Sequence, residues 1–328
     1  MQRAVLAACT LIAACASGKE AAMSWGTLDG KLPLVIAHRG ASGHLPEHTL
    51  EAYALAIAQG ADVVEPDLVF TKDGVLVARH DRYLSTTTNV ADKPEFARRK
   101  RPNNDPADAD NRTRVDWWVE DFTLAELKTL RARQPFPARS KDHDDKFEIP
   151  TFAEMLALVA AKAKEAGRPV GVYPETKHPA FFASIGHDFE APLLKALEGF
   201  DAGPVFIQSF EPEILQRLKG KTTARLVQLV FEATPGAGSN ISLAEIAPYA
   251  DGVGPAKAII FNDASFIGEA HALGLAVHPW TFRLDAAPPD GAEAELKRAF
   301  SLGVDGLFTD FPDAAAAVRQ SIRAPREE

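Results

Sequence analysis

Short apolar runs recur along the chain, separated by segments with helical spacing. Runs that fit buried strands occupy residues 34–37, 63–70, 170–173 and 205–208, then 226–231, 252–254, 275–278 and 306–308. Between them, Leu50, Tyr53, Ala54 and Ile57 share one helical face, as do Phe152, Leu156 and Val159. Thr151 followed by Glu154 reads as a capping box at a helix start. Eight strands alternating with helices predict an α/β fold, a TIM (β/α)8 barrel, rather than two separate domains.

The rhythm breaks once. Residues 71–150 form a long insertion after the second strand, rich in Asp, Asn, Pro and Arg. It begins with the turn Lys72-Asp73-Gly74 and a strand-like tetrad over 75–78. It also carries a basic run at 98–101 and an acidic run at 142–145, both expected on a solvated surface. A lobe inserted there would sit over the barrel mouth, where loops select substrate. The expected organisation is one barrel domain over 33–320 behind a signal segment over 1–15.

Charge narrows the function. With 36 Lys and Arg against 45 Asp and Glu, the net charge of −9 lacks the basic footprint that nucleic-acid binding requires. A small anionic substrate remains compatible, because a metal and a few local cations reverse the field within a cleft. At the start of the chain, Arg3 precedes an apolar run over 4–14 that is too short to span a bilayer. Both cysteines, Cys9 and Cys15, lie in this segment, so the body of the protein has no disulfide. The tetrad Ile12-Ala13-Ala14-Cys15 resembles a bacterial lipobox. It predicts an exported, periplasmic lipoprotein anchored to the membrane through Cys15; cleavage nearby would instead leave a soluble protein.

The candidate chemistry clusters at strand ends. His38-Arg39-Gly40 closes the first strand, where barrel active sites lie, with an imidazole and a guanidinium fork suited to phosphate oxygens. Glu65 and Asp67 stand two apart among Val63, Val64, Leu68 and Val69, so both carboxylates project from one face of a buried strand. Such a pair is costly without a cation. Glu175, at the end of the third strand, adds a third oxygen donor, and three carboxylates without a cysteine favour one hard divalent cation, Ca2+ or Mg2+. Arg79-His80-Asp81 supplies a second imidazole, and two imidazoles can divide the proton transfers of phosphodiester cleavage. Lys177, two beyond Glu175, adds positive charge against a phosphate. Weaker candidates are His178, His278, Gln208 and Asp310; His48 is expected in the first turn of a helix, and Glu47 at that helix's N-terminus.

The stretch HRGASGHLPEHTLEAYALAIAQGADVVEPDLVFTKDGVLVARHD, residues 38–81, resembles the signature of the glycerophosphodiester phosphodiesterase family, bacterial periplasmic enzymes in particular. The likeness continues through PETK (174–177), QSF (208–210), HPWTFR (278–283) and GVDGLFTDFPD (303–313). It implies a TIM barrel that hydrolyses small glycerophosphodiesters, such as glycerophosphocholine and glycerophosphoethanolamine, to sn-glycerol 3-phosphate and an alcohol. By position, it implies Glu65, Asp67 and Glu175 as metal ligands and His38 and His80 as the acid–base pair. Arg39 and Lys177 would hold the phosphate, and Phe210 and Trp280 would wall the glycerol or leaving-group side. It also implies attack by a glycerol hydroxyl on phosphorus, giving a cyclic phosphate that water opens. No protein partner is implied. Two positions depart from the family pattern: Pro66 between the ligands, which removes a ladder donor, and Trp280 in place of tyrosine. A barrel phosphodiesterase acting on intact phospholipids shares this constellation, and a surface-anchored binding protein that keeps the barrel is the alternative outside catalysis.

Overall fold

The computed structural model describes residues 25–323; the signal-like segment with Cys15 lies outside the described residues. Eight parallel strand positions close into a barrel. They are β1 (Leu34–His38), β2 (Val63–Glu65 and Asp67–Phe70), β3 (Gly171–Val172 and Glu175–Thr176) and β4 (Phe206–Ser209). Then come β5 (Arg225–Val230), β6 (Gly252–Pro255), β7 (Ala276–Val277) and β8 (Gly306–Thr309). Each of β1 to β6 is ladder-paired with the next, and β8 returns to β1 with Leu34 level with Gly306. The last seam is held by the Asp305 and Phe308 N–H groups donating to the Val277 and Pro279 carbonyls, at 2.9 and 3.0 Å. The strands are buried on both faces, which is why they read as near-continuous apolar runs rather than alternations.

β2 and β3 are shorter in practice than their apolar runs suggest, because each is interrupted. Pro66 has no N–H to donate, so the ladder stops there; its carbonyl accepts from the Glu175 N–H at 2.9 Å and pairing resumes on the far side. The register then sets Glu65 level with His38, Asp67 level with Glu175, and Glu175 level with Gln208.

The outer helices include α1 (Leu50–Ala58) and α2 (Phe152–Ala166). α1 buries Ala52, Tyr53, Ala56 and Ile57, a face turned from the expected one; Leu50 and Ala54 are half-buried because the two small alanines make the close approach instead. α2 buries Phe152, Leu156 and Val159 together with Met155 and Ala163, and its Thr151–Glu154 capping box is formed. One apolar cluster fills the space between sheet and helices, while Ile36, Val63, Tyr173, Phe206, Val227 and Phe308 plug the barrel interior. His278 belongs to this plug, with Nδ1 at 3.0 Å from the Tyr173 hydroxyl. It is a core histidine and not the pocket residue that its position in the chain suggested.

The insertion starts as a hairpin. Residues Leu76–Ala78 run antiparallel to Asp67–Phe70, and the Arg79 N–H meets the Asp67 carbonyl at 2.9 Å. Beyond it, Phe96, Trp117, Val119, Phe122, Leu127 and Leu130 join the main core. The basic run is only half solvated: Arg99 forks onto Glu126 and Arg101 onto Asp121, while Arg98 and Lys100 are exposed. Among the described residues no helix is long and apolar enough to cross a membrane.

Candidate active site

The carboxyl ends of the strands surround a cavity of about 330 Å3. His38, Arg39, Glu65, His80, Glu175, Lys177, Phe210 and Trp280 line it, and Asp67 lies beside Glu65 and Glu175. Getting Arg39 there requires an unusual backbone. Arg39 takes φ +60°, which turns its N–H onto Glu65 Oε2 at 2.8 Å. Gly40 follows at φ +84°, and a Cβ there would fall 2.7 Å from the Ala52 carbonyl carbon, so only glycine fits.

Glu65, Asp67 and Glu175 are 1%, 1% and 6% exposed. Each offers an oxygen, and the three atoms lie within 4.8 Å of one another. Every carboxylate is steered from outside. Gln208 Nε2 donates to Glu65 Oε1 at 3.3 Å, His48 Nε2 to Asp67 Oδ2 at 2.9 Å, and Lys177 Nζ sits 2.8 Å from Glu175 Oε1. Asp67 Oδ1, by contrast, is buried and has no hydrogen-bond partner. Burial, reinforced by the neighbouring carboxylates, pushes Glu65 well above the usual range and Glu175 up to about 8. Asp67 stays well below it in spite of burial, because Lys177, His80 and His48 hold its charge. Three buried carboxylates cannot all ionise without a compensating charge. A converging oxygen set with an orphaned oxygen fits a metal ion.

The two imidazoles have the same attachment. His38 Nδ1 lies 2.7 Å from Asp310 Oδ1, and His80 Nδ1 lies 2.7 Å from Asp81 Oδ1. A carboxylate only accepts, so in both rings Nδ1 carries the proton and Nε2 is left with a lone pair. Burial and then Arg39 lower the His38 pKa to about 4, with Asp310 opposing. Burial, Arg39 and Lys177 lower that of His80. Asp310 is itself gripped by the guanidiniums of Arg139 and Arg283, at 2.5 and 2.9 Å. Across the cavity Phe210 and Trp280 meet edge-on at 5.6 Å, and the indole N–H is tied to the Gly254 carbonyl at 2.8 Å.

Several neighbours depart from their expected places. His48 is not in the first turn of α1. It precedes the cap residue Thr49, is fully buried at φ +55°, and bridges Asp67 to the Tyr53 hydroxyl at 2.9 and 2.7 Å. Glu47 faces the Arg39 guanidinium at 3.1 and 3.2 Å rather than the helix N-terminus. Gln208 does reach the site. His178 lies outside the main cavity, 3.6 Å from Asp105, and His44 pairs with Asp313 at the surface. Arg139 and Arg283 went unnoticed in the sequence. Arg283 stands within HPWTFR, but Arg139 has no local signal at all, since its partner Asp310 is 171 residues away.

The model of the glycerophosphoryl diester phosphodiesterase family matches residues 38–314. A glycerophosphodiester phosphodiesterase of Arabidopsis thaliana is 35% identical over 322 residues, covering 85% of this chain and 84% of its own length. One from Haemophilus influenzae is 33% identical, covering 88% and 90%. Among solved structures, an Oleispira antarctica phosphodiesterase in complex with the product sn-glycerol-3-phosphate superposes with a TM-score of 0.66. It shares 22% identity and covers 89% of this chain and 99% of that one, a likeness of fold.

Proposed function

The chain belongs to the glycerophosphoryl diester phosphodiesterase family and is a phosphoric diester hydrolase, and from that premise we propose that it cleaves glycerophosphocholine, glycerophosphoethanolamine and similar diesters to sn-glycerol 3-phosphate and the free alcohol. The observation that carries this reading is the meeting, at one cavity, of three buried carboxylates with two imidazoles that both present Nε2.

In this reading Glu65, Asp67 and Glu175 hold one divalent cation. All three donors are carboxylate oxygens, which favours Ca2+ or Mg2+ over softer ions. When bound, such a cation supplies Lewis acidity toward the phosphate and offsets the charge that develops there. Lys177 and Arg39 grip the non-bridging oxygens; Glu47 occupies Arg39 Nη1 and leaves Nη2 for the phosphate. Phe210 and Trp280 wall the carbon skeleton.

His38 acts first as base. Its pKa of about 4 keeps it neutral with Nε2 free to accept, and Asp310 at Nδ1 supports the imidazolium formed when it takes a proton. Its Nε2 takes the proton of the glycerol hydroxyl beside the ester as that oxygen attacks phosphorus. His80 delivers a proton to the departing alcohol oxygen as the P–O bond breaks. Substrate phosphate opposes Arg39 and Lys177, two of the influences that lower the His80 pKa, and so favours the protonated form. Water then opens the cyclic phosphate, giving its proton to His80 while His38 returns one to the glycerol oxygen. Each assisted transfer contributes on the order of 10²–10⁴ in rate.

The lipobox-like tetrad supports export and anchoring through Cys15. Mass spectrometry of the mature N-terminus tests this: a lipid-modified Cys15 is expected, and an unmodified residue further along contradicts it. For the activity, purified protein stripped of metal is incubated with glycerophosphocholine, with and without Ca2+ or Mg2+. Glycerol 3-phosphate and choline in equal amounts, only with cation, are expected. Glycerol plus phosphocholine, or no product from any glycerophosphodiester, contradicts the reading.

A further inference from the structure

Arg139 belongs to the insertion, yet its guanidinium ends in the barrel, with the side chain 3% exposed. Nη2 donates to Asp310 Oδ2 at 2.5 Å, Nε and Nη2 to the Asp285 carboxylate at 2.6 and 3.2 Å, and Nη1 to the Ser42 carbonyl at 3.0 Å. Its acceptors follow β1, β7 and β8, so one side chain joins the insertion to both sides of the seam where the barrel closes. Arg283 Nε takes the same Asp310 oxygen at 2.9 Å. The Phe136 ring, also from the insertion, lies 4.1 Å from the Arg139 guanidinium carbon and 5.6 Å from that of Arg283.

A carboxylate can rotate about its last bond. With Oδ2 fixed by two guanidiniums, Oδ1 has one partner left, His38 Nδ1 at 2.7 Å. We propose that Arg139 is a positioning residue: it orients Asp310 so that His38 presents Nε2 to substrate, and it makes the insertion a working part of the reaction centre. The proposal rests on the acid–base reading of His38. Lysine cannot take over, because a single ammonium does not reach three acceptors in the plane of one fork. The same insertion supplies a control. Gln134 Nε2 pins the Ser42 and Leu45 carbonyls at 2.9 and 3.2 Å, and it touches neither Asp310 nor His38.

The test compares Arg139→Ala, Arg139→Lys and Gln134→Ala on glycerophosphocholine at saturating cation. Both Arg139 variants are expected to lose about 10- to 100-fold in kcat, the range typical of groups that orient a reacting ligand. KM and the half-saturating cation concentration should stay within about twofold. Millimolar guanidinium, and not ammonium, should restore part of the kcat of Arg139→Ala, while Gln134→Ala should stay near wild type. A kcat within about twofold of wild type, a loss no greater than that of Gln134→Ala, or an absence of guanidinium rescue overturns the proposal. Should Arg139→Ala fail to fold, Asp285→Asn frees one side of the guanidinium and should lower kcat several-fold at unchanged KM; an unchanged kcat overturns the proposal. An active His38→Ala variant sinks the acid–base reading and this proposal with it. A dead His38→Ala beside a normal Arg139→Ala sinks the positioning role alone.

Discussion

His38 and His80 hang from carboxylates by bonds of equal length, and almost everything else about their settings differs. His38 ends a barrel strand, its partner lies 272 residues away, and two guanidiniums brace that partner. His80 follows a hairpin strand, its partner is the next residue, and its side chain is 32% exposed against 12% for His38. One dyad is assembled by closing the whole barrel, the other by one turn of chain. The braced imidazole suits a fixed base that must meet one hydroxyl; the looser one suits an acid that must follow leaving groups of different size.

In the proposed mechanism both dyads act on a phosphate that the carboxylate triad helps to hold, so removing the cation should erase the difference between them. Chelation is expected to bring activity to background, with full recovery on adding Ca2+ or Mg2+; turnover in excess chelator would separate the dyads from the triad. Next in size, His38→Ala and His80→Ala should each lower kcat by at least about 100-fold, measured on folded protein.

The carboxylates then sharpen the contrast. Asp310→Asn should cost about 100-fold in kcat, and also about 3 kcal/mol of stability, because it leaves Arg283 and a buried imidazole without their carboxylate and Arg139 with Asp285 alone. Asp81→Asn, at a partly buried and local pair, should cost about 10-fold with little change in Tm. Equal losses would mean that the bracing of His38 has no consequence.

The smallest effect is on pH. Glu175, raised to about 8 in the folded protein from an ordinary carboxylate value, holds its proton more tightly folded than unfolded. Its contribution is therefore fully present below the unfolded value and is lost as pH rises through about 8. Metal-free protein should lose Tm by a few degrees between pH 5 and 8, while the gain in Tm on adding cation grows over the same range. A cation-induced gain independent of pH would contradict the triad's assignment.

How much of this was legible follows the same divide. The eight strands and the capping box of α2 show in the chain because apolar runs and Thr151–Glu154 are local signals. The lining residues sit at strand ends, where their motifs placed them. What escaped depends on distance and backbone. His48 looked like a helix residue because its left-handed φ leaves no trace in the sequence, and Glu47 looked like a helix-end charge because Arg39 was not known to turn back on it. Asp310 was an ordinary loop candidate until β8 set it against β1, and Arg139 was one arginine among many in a polar insertion.

The division of labour between the dyads can be read directly from the leaving group. Choline leaves glycerophosphocholine as an alkoxide that needs a proton, whereas p-nitrophenolate leaves the p-nitrophenyl ester of glycerol 3-phosphate without one. With cation present, His80→Ala should lose at least about 100-fold in kcat on the first substrate and only a few-fold on the second, while His38→Ala loses heavily on both. Equal losses of the two variants on both substrates, or recovery of His38→Ala by the activated ester, would contradict His38 as base and His80 as acid.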